Sequence, residues 1–452
     1  MYTLSSKLKL FSIILVVVGA IGLTIGFLSA PSSIEEVKEM MASHDAHGSG
    51  HGDSQAAEIH KGNTIHAENG LEKDHHSGDE HYTHVLHQLQ NKPWAALYVA
   101  AFFFFMIALG VLAFYAIQFA SQAGWSPVLF RVMEAITAYL VPGGIILFVI
   151  LMFSGFHMNH IFHWMDSELI DPSSDKYDAL IAGKSGWLNV PFFLIRAAIF
   201  LGGWMLYRHF AVKYSRKQDE DATGNKWYKK SFKISAGFLV FFIYTESMAS
   251  WDWIMSFDPH WFSTLFGWYV FASLFVSGIT TIALITIYLK SKGYLEFVNN
   301  SHIHDLAKFM FGVSIFWTYL WFSQFMLIWY SNIPEEVTYF ITRIEDYKLP
   351  FFGMLVMNFI FPLLVLMNSD YKRINWFVVM AGIIILCGHY VDVFNMVMPA
   401  TVGESWFIGI TEISAVMLFL GLFLFVVFKA LTKAPLLAKG NPYIEESKHF
   451  HY

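Results

Sequence analysis

Ten apolar runs, each long enough to cross a lipid bilayer as a helix, constrain this chain more than any other feature of its sequence. A membrane-spanning helix needs about 20 consecutive apolar residues. The chain is 56% hydrophobic and only 14% charged, with a mean hydropathy of +0.47. The sequence therefore predicts an all-α integral membrane protein. The ten predicted transmembrane helices cover 10–30, 94–120, 128–154, 188–212, 234–256, 262–289, 307–331, 350–368, 374–398 and 406–430.

The first run follows Lys7 and Lys9 and ends in small residues, as a cleaved signal peptide does. Its apolar part is longer than the about 7–15 residues of a signal-peptide core. We therefore expect a retained membrane anchor.

Basic residues near the helix ends predict the orientation, because cytoplasmic loops carry an excess of Lys and Arg. Most loops after even-numbered helices are basic, within 213–230, 290–292, 372–373 and 429–439. Loops after odd-numbered helices are acidic or nearly neutral, such as 332–349. Both termini are therefore predicted to be cytoplasmic.

Helices 2–5 and 6–9 would each enter the membrane from outside as a four-helix unit. This order predicts two parallel four-helix bundles, with the first and last helices at the periphery. The predicted units are an anchor at 1–30, an extracytoplasmic His-rich polar segment at 31–92, the first bundle at 93–256, the second bundle at 257–399, and the last helix with a cytoplasmic tail at 400–452.

The segment 31–92 holds ten of the twenty histidines. His-rich sequence can capture metal ions, whereas a polar segment with few bulky apolar residues is typical of a solvated, partly disordered loop that folds against a partner. We favour the solvated loop, because no histidine pair with HxxxH spacing lies in a clear helix beside an acidic residue.

The cysteine and histidine content limits the cofactors. One cysteine, Cys387, excludes an internal disulfide, a cysteine-ligated iron–sulfur cluster and a structural zinc site. The sequence lacks CxxCH, the attachment motif of c-type haem. Haem b needs two facing imidazoles as axial ligands, and only His389 lies deep in a predicted helix. We predict that this chain binds no metal and no cofactor of its own, and we leave a quinone open.

Polar and charged residues within the predicted helices are the candidate functional groups, because a charge at membrane depth costs at least ~2.5–3.5 kcal/mol. They are spread over six helices, mostly in the outer half, which favours a proton path or a polar ligand pocket. The alternative is ion pairing alone, with Arg196 bound to Glu246 or Asp392. The candidates for a proton path are Arg131, Glu134, Arg196, Glu246, Asp252, Ser323, Gln324, His389, Asp392 and Glu412.

Arg131 and Glu134 are three residues apart on one helix face, where they can pair locally. Trp251, Trp253 and Trp268 are candidates for a wall that stacks on a quinone. Trp and Tyr also favour the membrane interface on solvation grounds alone, so an aromatic belt is the default interpretation of these three.

Three motifs resemble the F subunit of bacterial alternative complex III, a quinol:cytochrome c or quinol:acceptor oxidoreductase. That subunit is one of the polysulfide-reductase-type (NrfD-like) membrane subunits, and the resemblance covers roughly 94–430. Asp252, Asp258, Ser323, Gln324, His389 and Asp392 lie within the matched motifs. The motifs are SWDWIMSFDPHWFSTLFGWYVFASLF at 250–275, TYLWFSQFMLIWYSNIPEE at 318–336 and GHYVDVFNMVMP at 388–399.

The resemblance implies a non-catalytic subunit of a quinol-oxidising respiratory complex in the bacterial cytoplasmic membrane. It would pack against a homologous membrane C subunit, which carries most of the quinol site, and against lipids. Haem c and iron–sulfur clusters would be bound by partner subunits. A terminal oxidase is a further candidate partner, and no nucleic acid is expected. This subunit would contribute structure and a proton path.

Two other functions remain open from the sequence. The chain could be a quinol-binding redox subunit in its own right. It could also be a stand-alone secondary transporter, since such proteins have helices broken near the midplane by Gly or Pro. Pro142-Gly143-Gly144, Gly202-Gly203 and Pro362 offer such breaks, although at positions that do not correspond between the two halves.

Overall fold

The computed structural model describes residues 1–47, 74–221 and 224–451, and all of its regular secondary structure is helical. Ten of the described helices are long and apolar enough to cross a membrane, as the sequence predicted. The chain is a multi-pass membrane protein. The helices are α1 Ser6–Leu28, α2 Asp74–Ala120, α3 Pro127–Gly155, α4 Val190–Glu220, α5 Lys226–Phe257, α6 Phe266–Ser291, α7 Asn300–Ser331, α8 Lys348–Leu366, α9 Asn375–Thr401 and α10 Ile410–Leu431.

Several helices are longer than their apolar runs. α2 begins at Asp74 instead of near 94, α4 continues to Glu220, and α7 begins at Asn300. Polar residues extend these helices beyond the apolar run. At the start of α7, for example, the Asn299 side chain accepts hydrogen bonds from the first backbone amides. Hydropathy detects only the apolar part of a helix.

The predicted His-rich segment is described only in part. Ile34–His47 forms a helix that packs against α2. The metal-capture hypothesis concerns the histidines of this segment. Most of them lie either in 48–73, outside the described residues, or at positions whose side chains are not described.

α2 is the central helix, and nearly all of its apolar part is buried. It packs against α3, α5, α6, α9 and α10. α2 approaches α6 closely at Gly110, where an ideal Cβ would lie 2.1 Å from the Leu274 carbonyl oxygen. On α6, a Cβ on Gly278 would lie 2.8 Å from the Val111 nitrogen. Glycine at both positions therefore lets the two backbones touch.

The remaining helices pack around α2 and α6. α3 packs against α4, and α4 against α5; α6 packs against α7 and α9, and α8 against α9. α1 runs along α10, with Gly19, Gly22 and Gly26 facing α10 residues at close range.

Both chain termini lie at the same end of the molecule, which we call the terminal end. Thr3 Oγ1 is 3.2 Å from the Tyr294 hydroxyl, and the Asn299 amide donates to the Phe450 carbonyl at 2.5 Å. Ser447 accepts from the Val128 amide at 3.2 Å. The opposite end carries the loops 156–189, 258–265 and 402–409, together with the short helix Pro334–Glu345.

Candidate functional site

A buried ionic cluster, the Glu134 cluster, lies near the terminal end between α3 and α4. It consists of Arg131, Glu134, Ser215, Arg216 and Asp219. Arg131 Nη1 donates to Glu134 Oε1 at 2.8 Å and to Oε2 at 2.5 Å, the pairing predicted from their spacing. Arg131 Nη2 donates to Asp219 Oδ2, and Arg216 lies 3.2 Å from Glu134 Oε2. Glu134 is therefore a carboxylate held between two guanidinium groups.

The chain's C-terminal segment covers this cluster. The Gly440 amide donates to Asp219 Oδ1 at 2.9 Å. A cavity of about 10 Å³ lies beside Ser215 and Asp219 and is also lined by Asn441. That volume is about the minimum that holds one water molecule, so there is room for a single water beside the cluster.

A second cluster, the Asp252 cluster, lies at the opposite end between α4 and α5. Arg196 Nε donates to Asp252 Oδ2 at 2.6 Å, and Nη2 donates to Oδ1 at 3.0 Å. Trp187 Nε1 also donates to Asp252 Oδ1 at 2.9 Å, and the guanidinium lies 4.2 Å from the Trp187 ring centroid. Such bidentate pairs combine electrostatic attraction with fixed geometry.

The prediction that Arg196 pairs with Glu246 or Asp392 was therefore wrong. Arg196 is six residues after the first residue of α4, and Asp252 is five residues before the last residue of α5; both of these helix ends lie at the opposite end of the molecule. At about 1.5 Å rise per residue the two side chains lie at the same depth. Glu246 is about one and a half turns deeper on α5, and Asp392 belongs to α9.

A large cavity, of about 520 Å³, opens beside Asp252. It is mostly apolar and lies between the 183–188 loop and the 255–262 turn. Lys184 closes one side, donating to the Pro259 carbonyl at 2.5 Å. Its lining residues are Gly183, Lys184, Gly186, Trp187, Leu188, Trp251, Asp252, Met255, Ser256, Asp258, Pro259, Trp261 and Phe262.

Charged groups in the loops near this cavity are tied to each other. Asp178 caps the short helix Ala179–Lys184 and lies 2.6 Å from His260 Nε2. The hydrogen bond with His260 lowers the pKa of Asp178, and burial lowers the pKa of Lys184. These contacts fix the 183–188 loop against the turn that follows α5.

The third cluster, the Asp392 cluster, is fully buried between α6, α7 and α9. Ser273 Oγ and Trp317 Nε1 each donate to Asp392 Oδ2 at 2.9 Å, and the Tyr269 hydroxyl donates to Oδ1. His389 Nδ1 lies 3.4 Å from Oδ2 and 2.9 Å from Ser273 Oγ. Among the described side chains, only His389 can bring a positive charge into direct contact with this carboxyl.

A small cavity lies beside the Asp392 cluster, next to Tyr269, which donates to Asp392. Its volume is about 10 Å³, and Tyr269, Gln324, Arg343 and Asn395 are among its lining residues. Within the described chain, Gln324 Nε2 and Asn395 Oδ1 have no hydrogen-bond partner. A cavity of this volume can hold one water molecule, and the side chains that carry both atoms line it.

Four other candidate residues lie apart from these clusters. Glu246 is buried on α5, and its Oε1 has no hydrogen-bond partner in the described part of the chain. Glu412 lies in the first turn of α10, where its Oε2 accepts from the Gly409 amide at 2.8 Å. Ser323 is half-buried on α7. Gln324, one residue further, reaches only the small cavity.

The three candidate tryptophans do not form one wall. Trp251 lines the large cavity. Trp253 is buried in an aromatic core, with its ring 5.8 Å from that of Trp204. Trp268 is 51% exposed on the outer face of α6, where an aromatic belt residue is expected.

The sequence reasoning missed Tyr269, Ser273, Trp317 and Arg343. The first three are ordinary helix residues whose role depends on which helices face α9. Arg343 lies in a segment interpreted as an external acidic loop, but it is the single basic residue of the helix Pro334–Glu345. Arg343 could have been found from the sequence, because it is a single basic residue on the apolar side of an acidic amphipathic helix.

Comparison with protein-family models gives no match, and no curated protein matches the chain. Its function therefore has to be inferred from the buried groups and from the motif resemblance.

Proposed function

We propose that the chain is an integral membrane subunit of a quinol-oxidising respiratory complex of the alternative complex III type, and that it carries protons. α2–α5 and α6–α9 form two four-helix bundles, both termini are cytoplasmic, and the membrane is the bacterial cytoplasmic membrane. The motif resemblance supports the complex, and the buried ionisable clusters support the proton role. The redox chemistry belongs to partner subunits.

The observation that carries the proton role is the environment of Asp392. A charge buried without a strong counter-ion is expensive, and structural carboxylates such as Glu134 or Asp252 are held by arginine. Asp392 instead has hydroxyl, indole and imidazole neighbours: all three can donate to the carboxylate, and the hydroxyl and imidazole groups can also accept from the protonated carboxyl. A carboxyl–imidazole pair of this kind suits proton exchange.

Hydroxyl groups continue from Asp392 toward the terminal end. On α6, Ser277 Oγ donates to the Ser273 carbonyl at 2.7 Å, and Thr281 Oγ1 donates to the Ser277 carbonyl at 2.8 Å. Asn358, on a π turn of α8, is fully buried, and its amide atoms have no partner in the described chain. π turns frequently occur at functional sites. These groups form the inner part of the proposed proton path.

In this proposal the chain itself binds no haem and no iron–sulfur cluster. The homologous membrane C subunit and the cluster-bearing and haem-bearing subunits would supply the quinol site and the electron path. The opposite end, with its loops and the helix Pro334–Glu345, would face the extracytoplasmic partners.

The proton role is tested by replacing Asp392 with Asn in the intact complex. We expect the ratio of protons translocated to electrons transferred to fall by about half or more, while quinol oxidation continues, because Asn cannot exchange a proton. Oxygen-pulse or dye measurements in vesicles give this ratio.

The matched control is Asp305→Asn, which removes a carboxyl that pairs with Lys308 at the terminal end. It should leave the ratio unchanged. A ratio in Asp392→Asn equal to that of the unmodified complex would show that Asp392 carries no protons.

The large cavity favours a second candidate function, quinol binding by this chain. Its volume of about 520 Å³ falls within the range of about 300–1,000 Å³ typical of small-molecule sites, and its aromatic lining suits a flat apolar ring. Cryo-electron microscopy with added quinone tests this function. Ring-shaped density against Trp187 or Trp251 would support it, and density of lipid tails alone would argue against it.

A further inference from the structure

Arg343 is a buried cation without a carboxylate in ion-pair contact among the described residues, and Asp258 acts on it electrostatically from beyond that distance. It is 5% exposed, and no carboxylate in the described part of the chain forms an ion pair with it. Its Nε donates to the Asn395 carbonyl at 3.1 Å, and its Nη1 donates to the Tyr339 carbonyl at 2.8 Å. Burial of an unpaired charge costs several kcal/mol, so packing alone does not explain an arginine at this position.

A stack of rings holds the guanidinium in place. Arg343 lies 3.3 Å from the ring centroid of Tyr339, and Tyr339 stacks on Trp261 with a centroid separation of 3.8 Å. Trp261 follows the turn after α5 and is itself buried. The position of the charge is therefore fixed by residues from two separate parts of the chain.

The charge lies close to the Asp392 cluster. Asn395, which accepts from Arg343, is three residues after Asp392 on α9, about 4.5 Å further along the axis at 1.5 Å per residue. Tyr269 donates to Asp392 and lines the same small cavity as Arg343. The guanidinium therefore lies between Asp392 and the surface of the opposite end.

The small cavity lies beside this charge. Arg343, Gln324 and Asn395 line it, and the two amide atoms without partners can hold one water molecule. A proton that moves between Asp392 and the opposite end through this water would pass beside the guanidinium. A fixed positive charge at such a point raises the energy of an excess proton, as arginine does in proton-excluding pores.

We propose that Arg343 is the electrostatic gate of the Asp392 site: its charge raises the barrier to proton movement in both directions through a water molecule between Gln324 and Asn395, and so keeps passive proton return slow. This gate rests on the proton-carrying role proposed for Asp392. Arg343 acts on proton movement through its charge. It takes up no proton itself.

The test is passive proton leak through the full-length protein in proteoliposomes, driven by a potassium diffusion potential and followed with an internal pH-sensitive dye. We expect Arg343→Gln to leak about tenfold faster or more, because at an effective dielectric constant of about 20 a charge a few ångströms away changes a barrier by several RT. Arg343→Lys keeps the charge, so its proton leak should equal that of the unmodified protein. Lys348→Gln, which removes an exposed charge at the start of α8, is the matched control.

The double variant Arg343→Gln/Asp392→Asn identifies the route. If the leak passes through Asp392, the double variant leaks protons no faster than the unmodified protein. A proton leak that persists in the double variant would overturn the gate. So would an Arg343→Gln protein that elutes as a folded species and shows no increase in proton leak. In the second case the proton role of Asp392 would still stand on the ratio measured in the complex.

Gln324→Met gives an independent test should Arg343→Gln fail to fold. It removes one partner of the proposed water while leaving the charge in place. We expect slower proton translocation by the complex with no increase in leak. Unchanged translocation in Gln324→Met would contradict the route through the small cavity.

Discussion

Replacing Arg196 by methionine is expected to destabilise the protein by about 3–5 kcal/mol, the cost of leaving a buried charge without its partner. Asp252 is fully buried and receives two hydrogen bonds from this guanidinium. Without Arg196, Asp252 keeps only the Trp187 indole and must either stay charged in an apolar site or take up a proton. The same substitution also releases Trp187, which packs on the guanidinium, and so loosens one wall of the large cavity.

The measurement is the free energy of unfolding in mixed detergent micelles, followed by circular dichroism. The double variant Arg196→Met/Asp252→Leu should recover most of the loss, because an apolar pair of similar volume can replace a buried ion pair. Lys176→Met, which breaks the exposed pair with Glu168, should cause no measurable change. A single variant as stable as the unmodified protein would show that the Asp252 cluster does not hold α4 to α5.

Replacing Gly110 by alanine is expected to disrupt the contact between the two central helices. The added Cβ would lie 2.1 Å from the Leu274 carbonyl oxygen. That atom belongs to the backbone of α6, so it cannot move aside by changing rotamer. We expect a loss on the order of 3 kcal/mol, the upper end of the usual cost of overpacking a core.

Gly312→Ala is the matched control, since nothing lies within 4 Å of the Cβ position on α7. Alanine is a better helix former than glycine by about 0.8–1.0 kcal/mol, so this variant should be as stable as the unmodified protein or more stable. Both variants are compared by thermal unfolding and by the yield of monodisperse protein. Equal melting temperatures for Gly110→Ala and Gly312→Ala would contradict the close approach of α2 and α6.

The ten helices could be predicted because hydropathy acts locally. Each spanning helix has to satisfy its own backbone hydrogen bonds in lipid, so each apolar run predicts its helix without reference to the others. The pairing of Arg131 with Glu134 is local in the same sense, since both residues lie on one turn. The additional contacts of Glu134 with Ser215 and Arg216 were missed, because α4 was predicted to end before them.

Pairings between helices could not be derived in this way. Arg196 was assigned to Glu246 or Asp392, although matching its depth to both ends of α5 would have indicated Asp252. Tyr269 and Trp317 give no signal of their own, because their role depends on how α6 and α7 turn toward α9. Arg343 was missed for a different reason: charges were sought only within apolar runs, and this residue lies on a short helix outside them.

The most direct test of the account is purification of this chain, tagged at its C terminus, from its native membrane in mild detergent. The proposal predicts that it elutes with a homologous membrane subunit and with subunits that carry haem c and iron–sulfur clusters. The reduced-minus-oxidised spectrum of the preparation should contain a c-type haem band, and the preparation should oxidise quinol. A chain that elutes alone, without haem absorbance and without quinol oxidation, would contradict the proposed complex and favour a stand-alone transporter.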